Sequence, residues 1–134
     1  MRSACAAFVS VDDGIDGAIE TAVQAGAALV AAHPYDVEEA PSAGRLTQRF
    51  ARDPELCARV HRFELFNRTQ LFAWIAHAGL PCVASGDFHR LAHLGGWKSL
   101  IPCARDEDAV IRHLRSRRPV FLTEIDAGLE RAAA

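Results

Sequence analysis

Short apolar runs alternate with amphipathic, helix-like stretches along this chain, and the alternation constrains the fold more than any other feature. These runs cover residues 27–32, 62–66 and 81–86, are mostly apolar apart from Arg62 and Glu64, and are each followed by a polar residue. Gly26 and Gly79 end the helix-like stretches that precede two of these runs. Strands that alternate with helices in this way form mostly parallel sheets with helices covering them. The sequence therefore predicts an α/β fold with mostly parallel strands.

Apolar spacing, glycine and proline place the remaining elements. Asp12 or Asp13 is predicted to begin a helix that runs to about Gln24, and residues 35–45 are predicted to form a loop. Further helices are predicted over residues 54–60, 69–78 and 106–115, with shorter strands over residues 98–102 and 119–123. These elements make one predicted domain over residues 12–124, between an N-terminal segment at 1–11 and a C-terminal tail at 125–134.

The composition is that of one soluble globular domain. The 134 residues carry a formal net charge of -2 and half of them are apolar, which excludes a disordered tail. The even charge balance disfavours a nucleic-acid partner for this chain alone, and no apolar run is long enough to span a membrane. The cysteines, Cys5, Cys57, Cys82 and Cys103, form no C-x-x-C pair, so we expect reduced, mostly buried thiols in a cytoplasmic protein.

Residues that commonly bind metal ions follow two of the predicted strands. His33 follows the first, and Asp87 and His89 follow the third, just after Gly86, which lets the backbone kink. Asp87 and His89 are two residues apart, so in extended backbone both side chains leave the same face. A carboxylate and two imidazoles suit one divalent ion such as Zn²⁺, Mn²⁺ or Fe²⁺, with positions left open for water and substrate.

One further acid and four further histidines need separate interpretation. Glu64 lies inside an apolar strand, where a carboxylate is costly unless it is paired or ligating, so both metal ligation and support of the ligands stay open. His77 and His113 lie in predicted helices and are expected on the solvated surface. His61 starts a predicted strand, whereas His93 lies in the loop after the third strand and is within reach of the same site.

Taken together, these segments resemble a known superfamily. Ala32-His33-Pro34, Phe63 to Asn67 and Ser85 to His89 are similar, in order and rough spacing, to motifs of the PHP (polymerase and histidinol phosphatase) superfamily. The resemblance implies that His33, Asp87 and His89 are metal ligands at the mouth of a distorted (β/α)7 barrel, with Glu64 or Asn67 close by. It also implies metal-dependent hydrolysis of phosphate esters.

The resemblance covers residues 12–123 and corresponds to the C-terminal half of that superfamily's domain. The chain contains no H-x-H motif, which opens a complete member, and it reads S-G-D-F-H where G-S-D-x-H is usual. We therefore expect the C-terminal part of a distorted (β/α)7 barrel, completed by a missing N-terminal half or by a second copy in a homo-oligomer. An incomplete barrel leaves a strand edge and an apolar face open.

The leading functional hypothesis is a phosphoesterase in which metal-activated water attacks a small-molecule or nucleotide phosphate ester. Arg68 and Arg90 are the candidate phosphate contacts, because a guanidinium group pairs well with phosphate oxygens. Two alternatives stay open. One is a non-catalytic half-barrel that acts as a scaffold or oligomerisation module, and the other is an amidohydrolase-like hydrolase that uses similar residues at strand ends.

Overall fold

The computed structural model describes residue 10, residue 12 and residues 14–36 and 40–126. The helices are α1 (Gly14–Gln24), α2 (Pro41–Arg52), α3 (Pro54–Arg59), α4 (Ala73–His77) and α5 (Glu107–Arg115). The strands are β1 (Val30–Ala31), β2 (Arg62–Asn67), β3 (Gln70–Leu71), β4 (Cys82–Ser85), β5 (Gly96–Leu100) and β6 (Phe121–Ile125), and Leu91–Leu94 forms a 3-10 turn. Cys5 and most of the predicted terminal segments, 1–11 and 125–134, lie outside the described residues.

Strand β2 is the centre of the larger sheet. It pairs in parallel with β1 and with β4, and its end pairs antiparallel with β3. Strands β5 and β6 form a separate antiparallel pair in which Gly96 lies opposite Ile125 and Leu100 opposite Phe121. The predicted α/β class is therefore confirmed, and the sheets are mixed and open.

The expectation of mostly parallel strands is wrong, for two local reasons. A two-residue turn at 68–69 follows β2, and a connection this short allows only an antiparallel return, which is β3. Helix α5 reverses the chain between β5 and β6, so these strands run in opposite directions. Within the described residues the sheets do not close into a barrel.

Two helices differ from their predicted extents. Residues 41–52 form α2, although a loop was expected up to residue 45. Pro41 stands in the first turn of this helix. Backbone N–H groups there have no acceptor within the helix, so the missing N–H of proline costs no hydrogen bond. Helix α4 begins at Ala73 rather than at residue 69, because residues 70–71 pair with the end of β2.

The apolar core lies between the larger sheet and helices α1 to α4. Phe63 in β2 is almost fully buried and makes edge-to-face contacts with the rings of Phe50 and Trp74. Strand β2 is buried on both faces, since its neighbours Arg62 and Glu64 are also buried. The core cluster consists of Ile19, Phe50, Leu56, Val60, Phe63, Phe72 and Ile75.

The described cysteines are free thiols. Cys57, Cys82 and Cys103 are each half-buried. Desolvation raises the pKa of the Cys57 and Cys82 thiols, which favours the protonated, weakly reactive form. Among the described helices, none has the length and apolar character that crossing a bilayer requires.

Candidate functional site

The carboxyl ends of β1, β2 and β4 meet at one edge of the larger sheet, because the three strands are parallel neighbours. His33 follows β1, Arg68 follows β2 and Asp87 follows β4, each within two residues of the strand end. All three have left-handed backbone, with φ of 41°, 54° and 42°. Such backbone is uncommon outside glycine and clusters at functional sites. The expected kink after β4 is therefore at Asp87, one residue beyond Gly86.

The three predicted metal ligands lie together. Nε2 of His33 is 3.6 Å from Oδ2 of Asp87, and Nε2 of His89 is 3.1 Å from Oδ1 of the same carboxylate. Desolvation raises the pKa of the Asp87 carboxyl, but the nearby His33 and His89 imidazoles outweigh it, so the net pKa lies below the usual range. The site is open to solvent, with side-chain exposures of 44% for His33 and 74% for His89.

The donor types fit a divalent transition metal ion, but the arrangement is that of two imidazoles sharing one carboxylate. Each histidine contacts a different oxygen of Asp87. Within the described residues, no group of three or more His, Cys, Asp or Glu side chains is arranged to hold a metal ion. Binding an ion between these three residues requires the exposed His33 and His89 rings to turn away from direct contact with the carboxylate.

Glu64 lies behind the three residues and supports the backbone that carries one of them. Its Oε2 accepts hydrogen bonds from the backbone N–H of His33 at 2.7 Å and from Nδ2 of Asn67 at 3.2 Å. Its Oε1 accepts a hydrogen bond from the Ser85 hydroxyl. Of the two roles that the sequence left open, these contacts favour support. A register shift between Glu64 and Phe66 breaks the strict alternation of the strand.

His93, which the sequence placed within reach of the site, contacts the loop that carries Asp87 and both candidate arginines. The 3-10 turn buries its ring, which is 8% exposed, beside the loop that carries Asp87. Its Nε2 is 3.2 Å from Nη1 of Arg68 and 3.0 Å from Nε of Arg90. The two arginines predicted to bind phosphate therefore meet at one imidazole. In the sequence, the only signal for His93 was its position six residues after Asp87.

The other histidines have structural positions. His77 is exposed, as expected. His113 was expected on the surface, but this is wrong, since α5 turns it inward and its Nε2 lies 3.1 Å from the Pro119 carbonyl oxygen. Nδ1 of His61 accepts a hydrogen bond from the Leu29 amide at 2.9 Å, which joins the start of β2 to the segment before β1.

An apolar cleft adjoins the site on the side of β1. Its volume is about 480 Å³, and His33 and Pro34 stand at its edge. The indole N–H of Trp74 donates to the Pro34 carbonyl oxygen at 2.6 Å and fixes this edge. The lining residues are Ile15, Leu29, Val30, Ala31, Ala32, His33, Pro34, Tyr35, Thr47, Phe50 and Val60.

Neither a protein-family model nor a curated protein matches this chain. The resemblance to the PHP superfamily therefore stays a prediction that rests on the three motifs.

Proposed function

We propose that this chain is a cytoplasmic, metal-dependent phosphoesterase of the PHP type, acting on a small-molecule or nucleotide phosphate ester. One observation carries the proposal: at the carboxyl ends of the three parallel strands of the sheet, Asp87 lies 3.6 Å from His33 and 3.1 Å from His89. This edge is where functional groups collect in α/β proteins. The proposed fold is the C-terminal part of a distorted (β/α)7 barrel, and the parallel order of β1, β2 and β4 supports it.

The proposed metal is Zn²⁺, Mn²⁺ or Fe²⁺, held by His33, Asp87 and His89. When bound, such an ion supplies a water of lowered pKa and neutralises phosphoryl charge. Glu64 fixes the His33 backbone through its accepted hydrogen bond and so limits where that imidazole can stand. Arg68 and Arg90 are exposed beside His93, whose ring contacts the Asp87 backbone, and they offer donors to the phosphate oxygens of the ester.

Metal binding by the purified 134-residue chain tests this proposal. We expect about one equivalent of transition metal by elemental analysis after dialysis, and phosphate release from p-nitrophenyl phosphate. The variant Asp87→Ala/His89→Ala should lose both the metal and the activity while keeping its secondary structure by circular dichroism. A parallel assay with an amide substrate separates phosphoesterase from amidohydrolase activity.

The matched control is His77→Ala/Asp108→Ala, which removes the same residue types from exposed positions on α4 and α5. It should bind metal as the unaltered chain does. The proposal is wrong if the folded chain takes up no metal, or if both double variants bind it equally.

A non-catalytic module remains the second candidate, and the β5–β6 pair favours it. Leu100 and Phe121 lie opposite each other in this pair and are 54% and 64% exposed. A second copy of the chain is the partner that this candidate requires. A dimer that persists after chelation, shows no phosphatase activity and dissociates in Phe121→Ser would support the module over the enzyme.

A further inference from the structure

The imidazole of His93 stands between the two arginines and the loop that carries Asp87. Arg68 reaches it from the end of β2, and Arg90 reaches it from the residue before the 3-10 turn. The Arg68 backbone is itself fixed, because its N–H donates to the Ser85 carbonyl oxygen and its own carbonyl oxygen accepts from Trp97. Two guanidinium groups are thus brought from separate elements to one nitrogen.

Two like charges at such close range repel each other unless an anion compensates them. Among the described residues, the ion pairs involve neither Arg68 nor Arg90. The chain's one lysine behaves differently, since Nζ of Lys98 donates to the Gly95 carbonyl oxygen at 2.7 Å. The two arginines therefore form an exposed dicationic pair whose uncompensated charge favours an anion between or beside them.

The contacts also define which nitrogen of His93 carries the proton. A guanidinium group can only donate, so Nε2 must be the unprotonated nitrogen, and its one lone pair is shared by Nε of Arg90 and Nη1 of Arg68. Nδ1 then carries the proton and donates to the Asp87 carbonyl oxygen, 3.0 Å away. The opposite tautomer would accept from the His89 amide at 3.2 Å, but it would direct an N–H at two cations. The first arrangement is therefore favoured, and it links the arginines to the backbone of Asp87.

We propose that Arg68, His93 and Arg90 form one subsite for a terminal phosphate, in which His93 is the positioning residue. The inference deepens the proposed function and rests on it in one respect, namely that the phosphate belongs to the ester hydrolysed at Asp87. His93 holds both guanidinium groups at one point and holds the Asp87 carbonyl at another. Because two cations face the ligand, the preferred ester is a dianionic phosphate monoester rather than a monoanionic diester.

Binding of inorganic phosphate to the full chain in the presence of a chelator tests the subsite without any metal. Three substitutions test the two contacts of His93 separately. His93→Gln keeps an acceptor near the position of Nε2, His93→Asn keeps a donor near Nδ1, and His93→Phe keeps a ring with neither. His77→Gln is the matched control, because His77 is exposed at the end of α4.

We expect His93→Phe and His93→Asn to weaken phosphate binding by about tenfold, and His93→Gln to stay within about threefold of the unaltered chain. Arg68→Gln and Arg90→Gln, which alter exposed side chains, should each weaken it by about tenfold as well. In turnover of p-nitrophenyl phosphate, His93→Phe should raise KM more than it lowers kcat. These arginine variants keep the test valid if His93→Phe does not fold.

Phosphate binding that is equal in the folded His93→Phe, His93→Gln and unaltered chains would overturn the inference, as would a chain that binds no phosphate at all. The outcomes separate from those of the proposed function. If His93→Phe still takes up metal, hydrolyses the ester and binds phosphate with unaltered affinity, the subsite is wrong and the proposed function stands. If the chain takes up no metal but its phosphate binding depends on His93, the subsite stands and the metal-dependent function is wrong.

Discussion

Strand β2 buries two charged side chains, two residues apart, and they have contrasting partners. Arg62, the first residue of the strand, is 2% exposed, and Glu64, the third, is 3% exposed. Residues two apart in a strand point to the same side, yet the partners of Glu64 lie at the carboxyl ends of the strands and those of Arg62 do not. The guanidinium group of Arg62 donates to the carbonyl oxygens of His113, Leu114 and Arg118, at and after the end of α5.

Glu64 instead accepts hydrogen bonds from three groups that border the candidate site, the His33 amide, the Asn67 amide group and the Ser85 hydroxyl. The first buried charge therefore ties a helix to the sheet, whereas the second holds the loops that border the candidate site. The contact with the helix and the support of the candidate site are thus divided between two residues of one six-residue strand. In parallel α/β barrels, functional groups likewise collect at the carboxyl ends of the strands.

The largest expected effect is on stability, from Arg62→Met. Methionine fills similar space but leaves backbone carbonyl oxygens without donors, so the free energy of unfolding should fall by about 3 kcal/mol. Urea denaturation followed by circular dichroism measures it, with Arg112→Met as the exposed control on α5. Equal urea midpoints for the two variants would contradict the structural role of Arg62. Metal binding should be unchanged while either variant is folded.

Glu64→Gln tests the second buried charge of the strand. Glutamine keeps one acceptor oxygen but places an N–H₂ group among donors, so we expect a loss of about 2 kcal/mol in unfolding free energy. Metal affinity should fall by about tenfold, because the His33 backbone loses its support. Metal titration of Glu64→Gln beside Glu124→Gln, an exposed control on β6, measures this. A stability loss without any loss of metal affinity would break the contrast between the two buried charges.

Asp106→Ala sharpens the comparison at the opposite end of α5. The Asp106 carboxylate accepts from the Ala109 N–H at 2.8 Å and caps the helix whose other end Arg62 holds. Removing a cap costs about 1 kcal/mol, so this variant should lose less stability than Arg62→Met. Urea midpoints in the reverse order would show that the cap, rather than the buried guanidinium group, secures α5.

The smallest effect is a pH dependence at the amino end of β2. Desolvation, and then the charges of Arg115, Arg117 and Arg62, lower the pKa of His61 below its ordinary value of 6.5. The unfolded chain therefore binds a proton more readily, and the stability from neutral His61 is present above pH 6.5 and lost as pH falls below it.

His61→Asn keeps an acceptor for the Leu29 amide but does not titrate. Between about pH 7.5 and pH 5.5, its unfolding free energy should fall less than that of the unaltered chain. Urea denaturation at the two pH values measures the difference. Parallel loss of stability in both proteins would assign the pH dependence to other groups.

Local sequence patterns predicted the elements that depend on local signals. Strands β2 and β4 and helices α3 and α5 fall within a few residues of their predicted positions, because apolar runs and capping residues such as Asp53 and Asp106 define them. Helix α2 was missed because Pro41 and Gly44 are typical of loops. In the structure the proline stands in the first helical turn. The presence of helix-breaking residues in a segment does not show that one of them occupies this tolerated position.

The part of the candidate site that directly follows the ends of strands was predictable from the sequence. His33, Asp87 and His89 were chosen from their positions after predicted strands and from the resemblance to the PHP motifs, and the structure brings them together. The burial of His93 was not predictable, because it depends on contacts with Arg68, 25 residues earlier in the chain. The same holds for the support that Glu64 gives to His33 across 31 residues. Such contacts form only after the strands have paired, so local sequence patterns do not show them.

The left-handed backbone at His33, Arg68 and Asp87 has a consequence for how this protein tolerates change. Each such residue carries roughly 1 kcal/mol of conformational strain that glycine would not have. Replacing any of them by glycine should therefore relieve the backbone even as it removes a functional side chain. A laboratory selection for heat resistance alone would drift towards glycine at these positions, and the site would be erased before the fold was harmed.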